Sequence, residues 1–371
     1  MKKRLIALLM CTGLVITAFS GCKKGSDGAE QETGSTEEKT ELVWSISRED
    51  YFGLEIEESK AHITDEELQK YIDSDLKANA EEVDLKEAPL EMGQYAVIDF
   101  EGKTDGKTVI SKSDYEIELG AGQVLFEGFD EGLVGKKKGD KFDLTLKYPK
   151  DYEDESLREK EIVISVTVDK VFDLNIPELN DEYVKKVYTY LGISTVEEYK
   201  AEYKRTIEEK MQYDVLWPLV MKNVVIEIYD SEELKKKATP TFEYYEYMYS
   251  QTEGGLAGAL EQSGMTEDEF YKKYCEDPAK EEIKYYLIRD YIAETEKIEV
   301  TDEEFEAELK KSMELYDVET KEEFYKKFES QGYDEEYFRD NFLTNKVVQF
   351  ICENAVVVED AEKESETAAT E

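Results

Sequence analysis

The rhythm of apolar positions divides the chain before any motif is considered. Residues 1–22 open on Lys2, Lys3 and Arg4, then run apolar from Leu5 to Phe19. That run has the length of a signal peptide and is short for a spanning helix, which needs ~20 apolar residues. Residues 63–83 carry Leu68, Ile72 and Leu76 at four-residue intervals behind a Thr64-x-x-Glu67 start, which predicts an amphipathic helix. Residues 89–173 change to a period of two. Tyr95-Ala96-Val97-Ile98-Asp99-Phe100 and Ile162-Val163-Ile164-Ser165-Val166-Thr167-Val168 read as strands, with Asp105-Gly106 as a hairpin turn. From Pro177 to about Val358 the helical period returns. Starts of the form S/T-x-x-E are expected at Ser194/Glu197, Thr266/Glu269, Thr301/Glu304 and Thr320/Glu323. Phe305, Leu309 and Met313 form one stripe, and Val347, Val348, Phe350 and Ile351 a denser one. Pro218 predicts a kink, or a break just before it, in a helical run from Val196 to Val225.

Composition narrows the function classes. Ninety acidic residues against 47 basic give a net charge of −43, which disfavours nucleic acid, since phosphate backbones are held by Lys and Arg. One histidine, His62, argues against His-based triads and His-rich metal sites. No loop has Ca²⁺-site spacing, so no metal and no cofactor are expected. Forty per cent hydrophobic residues, with 26 Tyr and 15 Phe, suffice for cores in two or three domains. Phe19-Ser20-Gly21-Cys22 resembles a bacterial lipobox, whose cysteine is lipidated. An uncleaved anchor or an ordinary signal peptide would share the apolar run, but residues 23–41, rich in Gly, Ser, Thr and Glu, suit a tether. The expected location is therefore the outer face of the cytoplasmic membrane, anchored through Cys22. Whether Cys275 and Cys352 pair is left open by their spacing.

The β-rich segment carries a family resemblance. Gln94 to Gly102, Asp105-Gly106, and Leu125-Phe126-Glu127-Gly128-Phe129-Asp130-Glu131-Gly132-Leu133-Val134-Gly135 resemble an FKBP-type prolyl isomerase domain. Tyr148-Pro149-Lys150-Asp151-Tyr152, Ile176 to Tyr183, Glu296 to Glu304 and Asn345 to Ile351 follow in an order similar to trigger factor. That family's ribosome-docking loop, of the Gly-Phe-Arg-x-Gly-Lys type, has no counterpart here, so ribosome binding is not expected. The resemblance implies an α+β protein: an FKBP-like antiparallel sheet domain with a short helix, joined to an extended all-α chaperone domain. The expected division is leader 1–21, tether 22–47, linker strand and helix 48–88, isomerase domain 89–173, helical chaperone domain 174–358 and disordered acidic tail 359–371.

The resemblance also assigns a prolyl pocket. Phe100 and Tyr115 stand at its walls, Leu125 and Phe126 at its rim, Phe129 at its floor, and Tyr152 offers a phenolic donor. Val109 and Ile164 fall at substrate-binding positions where the family usually has aromatics, which puts the strength of the activity in question. In the helical part Phe242, Tyr244, Tyr245, Tyr247 and Tyr249 are too dense for one helical face. Phe242, Tyr245 and Tyr249 are accordingly expected to contact clients. The expected partners are unfolded or secreted polypeptides and, through Cys22, a membrane. A foldase is the first reading, a holdase with a silent prolyl domain the second, and a solute-binding lipoprotein the third.

Overall fold

The computed structural model describes residues 40–86, 88–124, 126–252 and 254–360. Cys22 with the leader, Leu125 and most of the acidic tail lie outside the described residues. The chain forms two units, one of residues 70–183 and one of residues 40–69 together with 184–360.

The chain begins in the second unit with β1 (Val43–Ser45), β2 (Glu55–Glu57) and α1 (Glu58–Ala61), then enters α2 (Asp65–Ala78). Thr64 and Glu67 form the expected capping box: the Glu67 N–H donates to Thr64 Oγ1 at 3.2 Å and the Thr64 N–H to Glu67 Oε2 at 2.8 Å. The helix stops at Ala78, however, and β3 (Glu81–Asp84) replaces its expected last turn. β3 is specified by pairing with a distant strand, Glu81 opposite Asn175, and its one apolar residue, Val83, is exposed. A local period cannot report such an edge strand.

β4 (Tyr95–Thr104) and β5 (Lys107–Glu118) form the hairpin that Asp105-Gly106 announces. Both turn residues have positive φ, +52° and +76°, as a two-residue turn between twisted strands demands. α3 (Phe129–Leu133), β6 (Lys141–Lys147) and β7 (Glu161–Asn175) complete the unit. The antiparallel order is β3-β7-β4-β5, with β6 also paired to β7. Ala96, Ile98 and Phe100 of β4 and Ile162, Ile164, Val166 and Val168 of β7 turn to one face, and α3 closes it with Phe129 and Leu133.

The chain returns to the second unit within α4 (Asp181–Tyr188). It continues through α5 (Val196–Asn223), β8 (Val225–Ile228), α6 (Ser231–Tyr249), α7 (Gly255–Ser263) and α8 (Glu267–Tyr271). A π-helical turn, Lys272–Glu276, leads into α9 (Asp277–Glu296). α10 (Asp302–Leu315), α11 (Lys321–Phe328), α12 (Glu335–Glu353) and β9 (Val356–Val358) follow. α5 runs through Pro218 without the break that was one of the two expected outcomes. Leu216, Trp217 and Val220 are buried in one core around it, and that packing outweighs the missing hydrogen bond.

One turn recurs through this unit. A residue in the left-handed region (Gly192, Gly264, Lys297, Asp317 or Gly332) ends a helix, and an apolar residue follows. The next helix is capped by Thr195, Thr266, Thr301, Thr320 or Asp334. Four residues after each cap stands an aromatic: Tyr199, Phe270, Phe305, Phe324 and Phe338. The first four are buried, so one short sequence ends a helix, caps the next and delivers a ring to the core. The first start falls at Thr195/Glu198, one residue beyond the expected Ser194/Glu197, because that register places Tyr199 inside.

Residues 40–61 are not a tether and linker throughout. β1 pairs antiparallel with β8, and β2 pairs parallel with β9 at the other end of the sequence. Tyr51, Ile56 and Ala61 enter the same core as Leu216, Trp217, Ile288, Ile292, Val347 and Ile351. The helical unit therefore also carries two short two-stranded ribbons.

Candidate functional site

In the sheet unit, strand alternation and α3 bring two linked sets of rings together. Phe100 lies 5.6 Å from Tyr115, edge on, and 5.6 Å from Phe129 between ring centroids. Phe126 meets Tyr148 edge on at 5.2 Å, and Tyr148 meets Tyr152 at 4.8 Å. Phe100, Phe126, Phe129 and Tyr148 are buried, whereas Tyr115 and Tyr152 are half-buried. The cluster thus has a closed apolar base and two tyrosines that reach the surface. Gly128 at φ +89° makes the turn into α3 that sets Phe129 beneath Phe100.

The pocket residues named from the sequence are largely assembled here. Phe100, Tyr115, Phe126, Phe129 and Tyr152 share one cluster, while Leu125 lies outside the described residues. Ile164 is fully buried in the sheet, opposite Gly102 and Leu144. Val109 is 46% exposed, outside this cluster, whereas its neighbour Ile110 packs against the core. Gly102 makes this possible, because a Cβ there would lie 2.6 Å from Ile110 Cγ2. Tyr148 was not named as a pocket residue. The alternation Phe142, Leu144, Leu146, Tyr148 along and just beyond β6 was the available signal. Its hydroxyl accepts from Thr104 Oγ1 at 3.3 Å, which fixes the ring between Phe126 and Tyr152.

Tyr152 is positioned through its backbone. Its carbonyl accepts from Arg158 Nε at 2.7 Å, and its N–H donates to the Pro149 carbonyl at 3.3 Å. A groove of about 440 Å³ crosses four strands and is lined by Phe100, Phe142 and Val166 together with polar groups, among them Asp99, Glu101, Asp143, Ser165 and Thr167. Among the described residues no group of three or more His, Cys, Asp or Glu side chains is arranged to hold a metal ion.

In the helical unit α6 has two faces. Phe242 and Tyr245 pack inward, 5.5 Å from Tyr271 and 5.2 Å from Phe270 respectively, in a cluster with Leu260, Cys275 and Ala279. Phe242, Tyr245 and Tyr249 are each half-buried, so Phe242 and Tyr245 pack on this cluster while keeping part of their surface accessible. Tyr244, Tyr247 and Met248, at i, i+3 and i+4, form the exposed face, with Tyr247 69% accessible. The thiols of Cys275 and Cys352 are both free. They sit against different cores, and burial pushes them up to about 11 and about 12. Neither is activated as a nucleophile. Among the described residues no helix is long and apolar enough to cross a membrane.

Comparison with known proteins agrees with both units. Residues 86–176 match the FKBP-type peptidyl-prolyl cis-trans isomerase family, and residues 191–353 match the C-terminus of bacterial trigger factor protein. Trigger factor of Caldicellulosiruptor saccharolyticus is 29% identical over 340 residues, covering 85% of this chain and 72% of that protein. Trigger factor of Staphylococcus carnosus is 30% identical over 338 residues, with the same coverage of 85% and 72%. A solved structure of the trigger factor chaperone aligns with 84% of this chain and 73% of its own at 22% identity, with a TM-score of 0.31 too low to carry weight. An isomerase-type sheet unit and a trigger-factor-type helical unit thus lie in one chain, in the order of these relatives, and the chain belongs to the trigger factor family.

Proposed function

We propose that this protein is a membrane-tethered extracytoplasmic foldase. Its helical unit holds unfolded or newly secreted chains, and its sheet unit isomerises their X-Pro bonds. The observation that carries the enzymatic half is the buried Phe100–Phe126–Phe129–Tyr148 base with half-buried Tyr115 and Tyr152 at its margin. Rotation about an X-Pro bond must cross a barrier of ~18–20 kcal/mol set by amide resonance. No nucleophile is required. A dry aromatic site disfavours the planar, more polar amide, and a donor such as the Tyr152 phenol steadies a neighbouring carbonyl.

Tyr152→Phe is expected to lower kcat/KM for a short X-Pro peptide about fivefold, the loss of one hydrogen bond of ~1 kcal/mol, without moving the unfolding transition. An unmutated protein with no rate above the thermal background would sink the enzymatic half. Suppression of aggregation would then stand alone, the holdase reading. The non-aromatic Val109 and Ile164 are what favour that second reading.

Client holding is drawn from Tyr244, Tyr247 and Met248, which present apolar area with adaptable tips. Replacing all three with serine should weaken suppression of aggregation by about threefold while leaving the helical unit folded. Unchanged suppression would move the client face elsewhere. The tether is supported by Phe19-Ser20-Gly21-Cys22 and the apolar run before it. Cys22→Ser should abolish incorporation of labelled fatty acid and shift the protein from the detergent phase to the aqueous one.

A further inference from the structure

Behind the prolyl cluster lies a carboxylate that the pocket description does not use. Asp130 follows Phe129 in α3 and is nine-tenths buried. Its Oδ2 accepts from the Gly120 N–H at 2.9 Å and the Gly122 N–H at 3.3 Å, while Oδ1 is buried with no hydrogen-bond partner. Gly120 and Gly122 both adopt positive φ, +92° and +63°. Their loop is tied again where Gln123 Oε1 accepts from the Glu118 N–H at 2.7 Å. It leads directly into Val124 and Phe126, which pack on the aromatic cluster.

Burying a carboxylate with one oxygen unpaired is a poor arrangement for stability alone. What it achieves is geometric: the residue beside the pocket floor grips the loop that leads to Phe126 at the rim. We propose that Asp130 is a positioning residue for prolyl isomerisation, fixing the 120–124 loop against the Phe129 floor so that the pocket width is set before the proline ring enters. It acts through the loop and touches no substrate. The role rests on the isomerase reading, and it is a case of preorganisation: a rim left loose must be ordered anew at each binding event.

The test measures kcat and KM for an X-Pro peptide in the full soluble protein and in Asp130→Ala and Asp130→Asn, well below their unfolding transitions. Hydrogen exchange at the Gly120 and Gly122 amides is read alongside. Asp130→Ala should lower kcat/KM about tenfold, mainly through KM, and speed exchange at those two amides while the sheet stays protected. Asp130→Asn keeps an acceptor oxygen and should recover the activity to within about threefold. A folded Asp130→Ala protein with unchanged kcat/KM overturns the role. So does a loss that vanishes on cooling with the unfolded fraction, or an Asn variant as impaired as Ala. An inactive unmutated protein overturns the isomerase reading and this role together, and is recognised before any variant is compared.

Discussion

Phe129→Ala should remove prolyl isomerase activity and strongly destabilise the sheet unit, while leaving the helical unit folded. The ring is 1% exposed and contacts Phe100 at 5.6 Å, in one cluster with Leu133 and Ile164. Truncating such a phenylalanine costs ~3–5 kcal/mol, because the lost transfer energy is joined by that of the cavity left behind. A domain of this size has only ~5–15 kcal/mol of stability, so the unit should melt far earlier. The two units can be read separately, since both tryptophans, Trp44 and Trp217, belong to the helical unit. Their fluorescence transition should not move in Phe129→Ala, although the thermal transition followed by circular dichroism gains an early step. Phe129→Leu separates packing from chemistry: it should regain most of the stability but little of the rate, because an aliphatic floor replaces the ring. Equal melting of Phe129→Ala and the unmutated protein would show that Phe129 is not the keystone of this core.

How much of this was legible in the sequence depends on the reach of each signal. Alternation along β4 and β7, the Asp105-Gly106 turn and the Thr-x-x-Glu starts are local, and the structure contains them. The pocket positions were implied by the family resemblance alone, and Phe100, Phe126 and Phe129 do share one cluster. Errors arose where a partner far along the chain decides. Glu81–Asp84 becomes a strand only because β7 offers an edge, and Val43–Ser45 only because β8 does. Which of Val109 and Ile110 faces the core was set by pairing across the hairpin, where Gly102 stands opposite Ile110 and leaves space for its side chain. On α6 the density of aromatics showed that one helical face could not hold them all, but which of them face outward follows from helical phase against the neighbouring cluster: Phe242 and Tyr245 pack on it and Tyr247 is exposed.

The amino-terminal segment gives the second large effect, Tyr51→Ala. Tyr51 is fully buried in the core that holds Trp217, Ile288 and Val347. Its hydroxyl donates to Glu296 Oε1 at 2.8 Å, and Arg48 Nε meets the same oxygen at 2.8 Å. Burial and the carboxylate together raise the phenol well above its ordinary pKa, so it remains a donor at any working pH. Removal of the ring should cost the helical unit ~3–5 kcal/mol, like other large aromatic truncations in cores. Tyr51→Phe should cost only ~1 kcal/mol, the value of the hydrogen bond. Urea unfolding followed by tryptophan fluorescence reads both variants in the right unit, since Trp44 and Trp217 lie in or against this core. Isomerase activity, carried by the other unit, should survive Tyr51→Ala in low urea. A Trp transition unmoved by Tyr51→Ala would return residues 48–61 to the role of a passive linker. A large shift would mean instead that residues 48–61 are an integral part of the helical unit, whose core Tyr51, Ile56 and Ala61 complete.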